Sequence, residues 1–326
     1  MGDPIWVGSF QDLPATARRF HDKAVDVAVE QAVLWARSMS HHFGGDLRYG
    51  EEMRVRREAR EKAEAAFSDI PGLFQSFADA PDPARFEPAV ESLHQAQASL
   101  ATSAVNTDPL TNNPIVVREE FAKITTTSDF IDDWSGAAAH EFKANYLDPL
   151  PAKIGAQFQL AAILAAAIQA EQAIWQAARS DIRLVLAKGL AALDHVGECT
   201  QAQWTITFTV VASIAAVAAV PFAGGLSLRL TAVGAASQVV AAIPIDDAAE
   251  EEYAGDTAFE VVGQVRQGVQ DLISRIARAE QVIGGRLGDN VAVVHANWRQ
   301  FVSDRPALDD ATPANVTGPA YFGFAH

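Results

Sequence analysis

The chain has 326 residues, which is enough for one large or two modest domains with a sizeable buried core. Its 25 Lys and Arg against 41 Asp and Glu give a net charge of −16, which argues against nucleic acid as a partner. The single cysteine, Cys199, excludes an internal disulfide and indicates no thiolate metal site. The stretch from Met1 to Phe20 lacks a basic segment followed by an apolar core, so we expect no classical signal peptide.

The first part of the chain predicts helices separated by turns. Apolar residues recur every three or four positions from Leu13 to His42, where Pro14 suits a first helical turn. A second helix is predicted over Glu51 to Ser68, with mixed charges that pair along a solvated face. A third is expected over Val90 to Val105. An Asn-Pro pair then predicts the cap and first turn of a fourth helix, from Pro114 to about Ile131.

Two longer apolar stripes follow, one on each side of an uncharged region. The first runs from Ile154 to Leu193 and predicts a helix of about 45 residues. The second runs from Phe259 to Phe301, after an acidic run from Asp246 to Glu252 that we interpret as a boundary. Their shared spacing around a chain reversal predicts antiparallel packing. The expected fold class is therefore all-α, an elongated bundle of long antiparallel helices with an apolar hairpin between the two longest.

The hairpin is the stretch from Cys199 to Ile245, whose only charge is Arg229. Two apolar arms, Trp204 to Val220 and Leu226 to Ile245, are joined by a Pro-Phe-Ala-Gly-Gly turn. Each arm is close to the roughly 18 to 20 apolar residues that a helix needs to cross a bilayer. The candidate membrane residues are Trp204, Ile206, Phe208, Val210, Val211, Pro221, Phe222, Gly224, Gly225, Leu226, Leu228, Arg229, Leu230, Val239 and Val240.

A second periodicity leaves the hairpin's conformation open. Apolar residues alternate with threonines from Trp204 to Val210, and a similar alternation follows Leu226, which is typical of strands. Three conformations of the segment are therefore open. It is partly a β-ribbon in water that becomes helical in lipid, or a buried strand pair, or an apolar helical hairpin in the bundle core. In a bilayer we expect Trp204 at one interface and Arg229 near the other.

The sequence Asp-Asp-Trp134-Ser-Gly136, between two predicted helices, resembles the WxG turn of WXG100-type and EspB/PPE-like substrates of actinobacterial type VII secretion. That resemblance implies that Gly136 forms the turn and that Trp134 is buried where two helices meet, with Phe142 on the following helix. By architecture the chain also resembles α-helical pore-forming toxins of the ClyA, Hbl and Nhe kind, which hold an apolar hairpin or β-tongue between two long helices.

Together these features predict a secreted helical protein whose hairpin inserts into a membrane on oligomerisation, as a pore-forming or effector-delivery component. The expected partners are a lipid membrane and either further copies of the chain or a second helical subunit, with no nucleic acid. The expected location is outside the cell or in the cell envelope. The alternative is a soluble type VII secretion interaction or scaffold protein whose hairpin is bundle core.

The sequence contains few patterns that are typical of catalytic, cofactor or metal sites. Because it contains no phosphate-binding loop, GxSxG, HExxH or CxxC motif, we predict no enzyme, no cofactor and no metal site. The nearest approach to a metal cluster is His41-His42 with Asp46, Glu51 and Glu52, interpreted as polar residues at helix ends. The predicted regions are 1–113 (N-terminal helices), 114–198 (WxG helices and first long helix), 199–245 (hairpin), 246–303 (second long helix) and 304–326 (tail).

Overall fold

The fold is mainly helical in a computed structural model that describes residues 10–43, 45–118, 136–197, 202–210, 216–221, 229–234, 250–303 and 312. Its helices are α1 Leu13–His42, α2 Tyr49–Phe67, α3 Ile70–Ala78, α4 Glu87–Leu100, α5 Ala137–Phe142, α6 Leu150–His195 and α7 Ala258–Ala296. Its strands are β1 Ala202–Thr207, β2 Ala216–Pro221, β3 Arg229–Gly234 and β4 Glu250–Gly255. Short 3-10 turns occupy Phe10–Asp12, Pro83–Phe86 and Trp298–Gln300, and Lys143–Leu147 is a π-helical turn. The predicted fold class is confirmed.

The helix bounds follow the sequence signals where those signals are local. Helix α1 has its predicted bounds, with Pro14 in the first turn, and α6 runs for 46 residues. The helix expected from Pro114 is wrong over its described part, because Pro114 forms an isolated β-bridge with Thr107 and residues 115–118 are not helical. The Asp108 carboxylate explains the difference, since it accepts hydrogen bonds from the backbone N–H groups of Leu110 and Thr111, at 2.8 and 2.9 Å, and closes a turn before the proline.

The chain divides into two compact units, each assembled from separate stretches. The first unit comprises residues 1–89, 167–217 and 233–285, and the second comprises residues 90–166, 218–232 and 286–326. Helices α6 and α7 each contribute one part to each unit.

In the first unit α6 and α7 pack closely and run antiparallel. A Cβ placed on Gly189 of α6 would lie 2.5 Å from a methyl group of Val265, and a Cβ placed on Gly268 of α7 would lie 3.4 Å from a methyl group of Val185. From the first contact to the second, the residue number falls from 189 to 185 in α6 and rises from 265 to 268 in α7. The two helices therefore point in opposite directions, as predicted. The large side chains at the centre of this unit, all at most 1% exposed, are Phe20, Phe67, Phe74, Ile174, Ile182 and Leu186.

In the second unit the start of α6 runs antiparallel to the segment that follows α7. Lys153 donates to the Ser303 hydroxyl at 3.4 Å, and Gln157 donates to the Phe301 carbonyl at 2.7 Å. Phe158, the residue after Gln157, is fully buried. The start of α6 therefore meets the segment that follows α7.

Helices α1 and α2 form an antiparallel pair whose register is marked by exposed ion pairs. Such pairs stabilise a protein little, because water screens them, but their spacing shows which turns face one another. They are Arg37–Glu52 at 2.8 Å, Arg56–Glu30 at 2.7 Å and Arg60–Asp26 at 2.7 Å.

Candidate functional site: a strand insert anchored to the long helices

The candidate site is the insert, defined as residues 196–257 between α6 and α7, which contains the predicted hairpin. Strands β1 and β4 pair antiparallel, with Ala202 opposite Gly255 and Thr207 opposite Glu250. Strands β2 and β3 form a second two-stranded sheet, and residues 222–228, with the two glycines of the predicted tip, fall between them outside the described residues. The described part of the insert is thus two strand pairs nested in sequence. The helical-hairpin alternative is wrong for these four segments.

Strand β1 and the residues after it have two distinct faces. Trp204, Ile206, Phe208 and Val210 are 9%, 2%, 0% and 0% exposed, whereas the residues between them are exposed to solvent. Those exposed residues are Thr205, Thr207 and Thr209, and Gln203 before Trp204 is exposed as well. The alternation predicted from the sequence is confirmed, and it places one apolar face on the helices and one polar face in water.

Strand β4 corrects the prediction that the acidic run is a boundary followed directly by a helix. Residues Glu250–Gly255 are a strand, and α7 begins only at Ala258. Strand β1 provides the pairing edge, and the Glu251 carboxylate forms an ion pair with Arg275 at 2.6 Å. The start of α7 is then fixed by a capping box, in which the Glu260 carboxylate accepts from the Thr257 N–H at 3.2 Å and the Thr257 hydroxyl accepts from the Glu260 N–H at 3.2 Å.

The first polar anchor of the insert is Asp181 on α6, which is only 2% exposed. One of its carboxylate oxygens accepts from the backbone N–H groups of Thr209 and Val210, at 2.7 and 3.1 Å, and the other accepts from the Thr209 hydroxyl at 2.9 Å. Burial raises the pKa of the Asp181 carboxyl, although these hydrogen bonds and the charge of Arg275 act in the opposite direction. A single buried side chain therefore satisfies three donors at the end of the β1 segment.

The second polar anchor is Asn290 on α7, which is 5% exposed. Its carbonyl oxygen accepts from the Thr231 N–H at 2.8 Å, and its amide donates to the Thr231 carbonyl at 2.6 Å. A side-chain amide that bonds both backbone groups of one residue substitutes for a neighbouring strand. Asn290 therefore holds β3 as a strand partner would.

A third group of contacts joins β1 and β4 to α7. The Tyr253 ring stacks on Trp204, with ring centroids 6.0 Å apart, and its hydroxyl donates to Asp271 at 3.0 Å. Burial, followed by the hydrogen bond to Asp271, raises the pKa of the Tyr253 hydroxyl. Arg275, which pairs with β4, also lies over the Phe208 ring at 5.1 Å from its centroid. These contacts stabilise the apolar face of β1 on the helix.

The remaining predicted membrane residues are only partly described. Leu230 in β3 is fully buried, Arg229 begins that strand and Pro221 ends β2. Eight others lie outside the described residues, and they are Val211, Phe222, Gly224, Gly225, Leu226, Leu228, Val239 and Val240.

The predicted WxG turn is described only from its glycine onward. Trp134 lies outside the described residues, so its predicted burial stays a prediction. Gly136 has a φ of +105°, a conformation that favours glycine, and α5 starts at the next residue. Phe142 is 42% exposed and stacks on Tyr146 at 5.3 Å.

Composition alone marks a different segment as able to cross a membrane. Among the residues that the structure describes, the helical stretch His140–His195 contains an 18-residue window apolar enough to cross a membrane, with a mean hydropathy of 1.3, but 61% of that window is buried in the protein. That degree of burial is typical of a core helix. Across the same described residues, no group of three or more His, Cys, Asp or Glu side chains is placed to hold a metal ion.

Sequence reasoning missed the anchors, because Asp181 and Asn290 look like ordinary polar positions of long helices. The available signal was a carboxylate directly before the apolar residues Ile182, Val185 and Leu186, on the buried stripe of α6.

No family model, curated protein or solved structure matches the chain.

Proposed function

We propose that this is a membrane-inserting helical protein whose insert leaves the long helices and enters a lipid bilayer as several copies associate. The observation that carries the proposal is the docking of β1 and residues 208–210 after it, which bury four apolar side chains on one face while the polar face lies in water. A segment held through one face and a few polar anchors can separate without unfolding the helices beneath it. The proposal includes export through a type VII route and assigns no catalytic role.

The acidic strand limits which part of the insert enters the bilayer. Strand β4 contains three consecutive glutamates, Glu250 to Glu252, and a charged side chain costs about 3 kcal/mol at the centre of a membrane. Carrying β4 into lipid with β1 would outweigh the gain from the apolar arm. The proposal therefore requires β1 to separate from β4, and the acidic strand stays in water.

This requirement gives a direct test. Thr205 and Glu252 are exposed and lie opposite each other in the ladder. Directly opposed residues of antiparallel strands have Cα atoms about 4.5 to 5.5 Å apart, within the range of a disulfide. Thr205→Cys with Glu252→Cys, in a Cys199→Ser background, should link β1 to β4 under oxidising conditions.

The assay is dye release from liposomes, and the reduced form of the same protein is the matched control. We expect the oxidised form to release no dye and the reduced form to release dye as the Cys199→Ser parent does. Equal release by both forms would rule out strand separation. A parent protein that permeabilises no lipid composition at any pH would remove the membrane proposal itself.

A soluble interaction or scaffold protein is the second candidate, and one observation favours it. The large apolar residues of the strand segments whose exposure is known are buried, as expected for bundle core, and they are Trp204, Ile206, Phe208, Val210 and Leu230. On this alternative the insert stays docked, and the liposome assay gives no release with either form.

A further inference from the structure

Strand β3 turns one of its edges toward α7, and a single side chain occupies that edge. The N–H and C=O of a strand residue point to the same edge, and both groups of Thr231 bond to the Asn290 amide, at 2.8 and 2.6 Å. Strand β2 is the neighbour of β3 in the sheet and therefore pairs along the opposite edge. Among the described strands, β3 has no second neighbour. The amide of Asn290 therefore occupies the position that the next strand of a sheet would take.

The occupied edge of β3 is shielded from water. Asn290 is buried, Thr231 is half-buried, and Leu230 and Ala232 on either side of it are fully buried. A buried amide is costly unless its oxygen and its nitrogen are both bonded, and here both bond to one strand residue. One side chain reaches one residue of an edge, whereas a strand reaches every second residue along it. A strand in place of Asn290 would keep both hydrogen bonds of Thr231 and add those of its neighbours.

Strands β2 and β3 are the pair of the insert whose composition suits lipid. Their two spans of six residues contain one charge, Arg229, whereas β4 contains three consecutive glutamates. In lipid no water is available to bond a free backbone group, so every such group needs a partner within the protein. An insert that leaves α7 takes Thr231 away from Asn290, and an open sheet from one copy keeps two edges. A further strand is therefore required.

We propose that the edge of β3 that Asn290 covers is the surface through which copies of this chain pair, with β2 of the next copy as the added strand. The inference rests on the proposed function, since only an insert that has left α7 exposes this edge. Copies that enter a bilayer from the same side are related by rotation about the membrane normal, and a ring of that kind joins two different surfaces. The outer edges of β3 and β2 are two such surfaces. In the docked state Asn290 prevents the pairing, as a covered edge prevents aggregation.

Two substitutions that weaken the same anchor test the pairing, because they should change dye release from liposomes in opposite directions. Asn290→Leu removes the amide and leaves the N–H of Thr231 available, so the initial rate of release should rise at least about threefold. Thr231→Pro removes the N–H that Asn290 and a neighbouring strand both need, so the rate should fall at least about tenfold. This N–H points away from β2, so the second substitution takes no hydrogen bond from the pair of β2 and β3. Circular dichroism should show the helical signal of wild type for both variants.

A cross-linking experiment tests the same contact without proline. One protein carries Thr231→Cys, and a second carries a cysteine in β2, both in a Cys199→Ser background. The β2 substitutions, made in turn to cover neighbouring registers, are Val217→Cys, Ala218→Cys, Ala219→Cys and Val220→Cys. Opposed residues of paired strands lie within the range of a disulfide. Under oxidising conditions with liposomes, we expect a disulfide-linked dimer from at least one mixture. We expect no dimer from Thr231→Cys alone, and none from the mixtures without liposomes.

The two experiments separate failure of the pairing from failure of the proposed function. Dye release by wild type, with no dimer from any mixture and with faster release by both Asn290→Leu and Thr231→Pro, would overturn only the pairing. The edge of β3 would then be covered in the docked state and unused afterwards. A dimer from Thr231→Cys alone would overturn the pairing of β3 with β2. Wild-type protein that releases no dye, in samples where no mixture forms a dimer, would remove the proposed function and the pairing that rests on it.

Discussion

The Asp181→Ala substitution tests whether one buried carboxylate holds the insert on α6. It removes the acceptor of the Thr209 and Val210 N–H groups, and a buried donor without a partner costs about 1 to 3 kcal/mol. Relief of the buried charge offsets part of this cost. The expected loss of docking free energy is about 2 to 4 kcal/mol, which corresponds to roughly 30-fold to several-hundred-fold less protection from exchange.

Native-state hydrogen exchange with peptide resolution is the suitable assay, because it separates local opening of the insert from global unfolding. Peptides that cover β1 should lose protection, while peptides from α1 and α2 keep it. Thr207→Ala, at an exposed position of the same strand, should leave all peptides unchanged. Unchanged β1 protection in Asp181→Ala, or an equal loss in every helix, would refute the anchoring role.

Asp181→Asn separates the charge from the hydrogen bonds. An asparagine at this position offers one oxygen to both N–H groups and one amide to the Thr209 hydroxyl, which reverses its role. Because burial raises the pKa of Asp181, the docked state binds the proton more tightly than the released state does. The stabilisation of the docked state by this bound proton is therefore present at low pH and is lost as the pH rises through the raised pKa of Asp181. Wild-type protection of β1 should fall over that pH range, and protection in Asp181→Asn should not.

Three further substitutions test packing, the second anchor and one ion pair. Gly189→Ala places a Cβ 2.5 Å from a methyl group of α7 and should destabilise the protein by about 1 to 3 kcal/mol in urea unfolding. Gly263→Ala, where a Cβ would have nothing within 4 Å, should be neutral or stabilising. Equal effects of the two substitutions would contradict the close packing. Asn290→Leu should reduce exchange protection in β3 about tenfold or more, and intact protection would exclude the anchor. The hydrogen bond from Arg266 lowers the pKa of Asp69. The Asp69→Asn substitution should therefore lower the melting temperature at pH 7, and this difference from wild type should disappear as the pH falls through the lowered pKa. A difference that does not depend on pH would indicate lost packing instead of a lost ion pair.

The parts of the fold that local signals determine were predictable. Helix α1 combines a first-turn proline with an apolar stripe that ends at two glycines, and α6 carries its stripe over 46 residues. The alternation from Trp204 to Val210 was equally visible, because a strand with one face on a core and one in water needs it.

The parts that depend on distant partners were not predictable. The segment Glu250–Gly255 is rich in glutamate, which is uncommon in strands, and it pairs only because β1 offers an edge and Arg275 offers a charge. Asp181 is one polar residue among many in α6 until the fold brings Thr209 to it. Leu34, which the periodicity assigns to the apolar stripe of α1, is 59% exposed, since a stripe does not show where its covering helices end.

The energies of docking and insertion decide how many copies must act together. Burying Trp204 and Ile206 of β1, with Phe208 and Val210 after it, stabilises the docked state by about 6 to 12 kcal/mol as an upper bound, at about 1.5 to 3 kcal/mol each. The first arm and the start of the turn offer eight strongly apolar residues from Ile206 to Phe222, worth about 2 to 5 kcal/mol together in a bilayer. One copy therefore gains too little from lipid to leave its helices.

Association in the membrane has to supply the difference, either between copies of this chain or with a second helical subunit. Hydrogen bonds among the threonines of neighbouring inserts are available for this, because polar groups in lipid seek partners. The initial rate of dye release should then rise more steeply than the first power of protein concentration at fixed lipid. A rate proportional to concentration down to a few copies per vesicle would show that one insert suffices, and the docking energy argued from β1 would be too large.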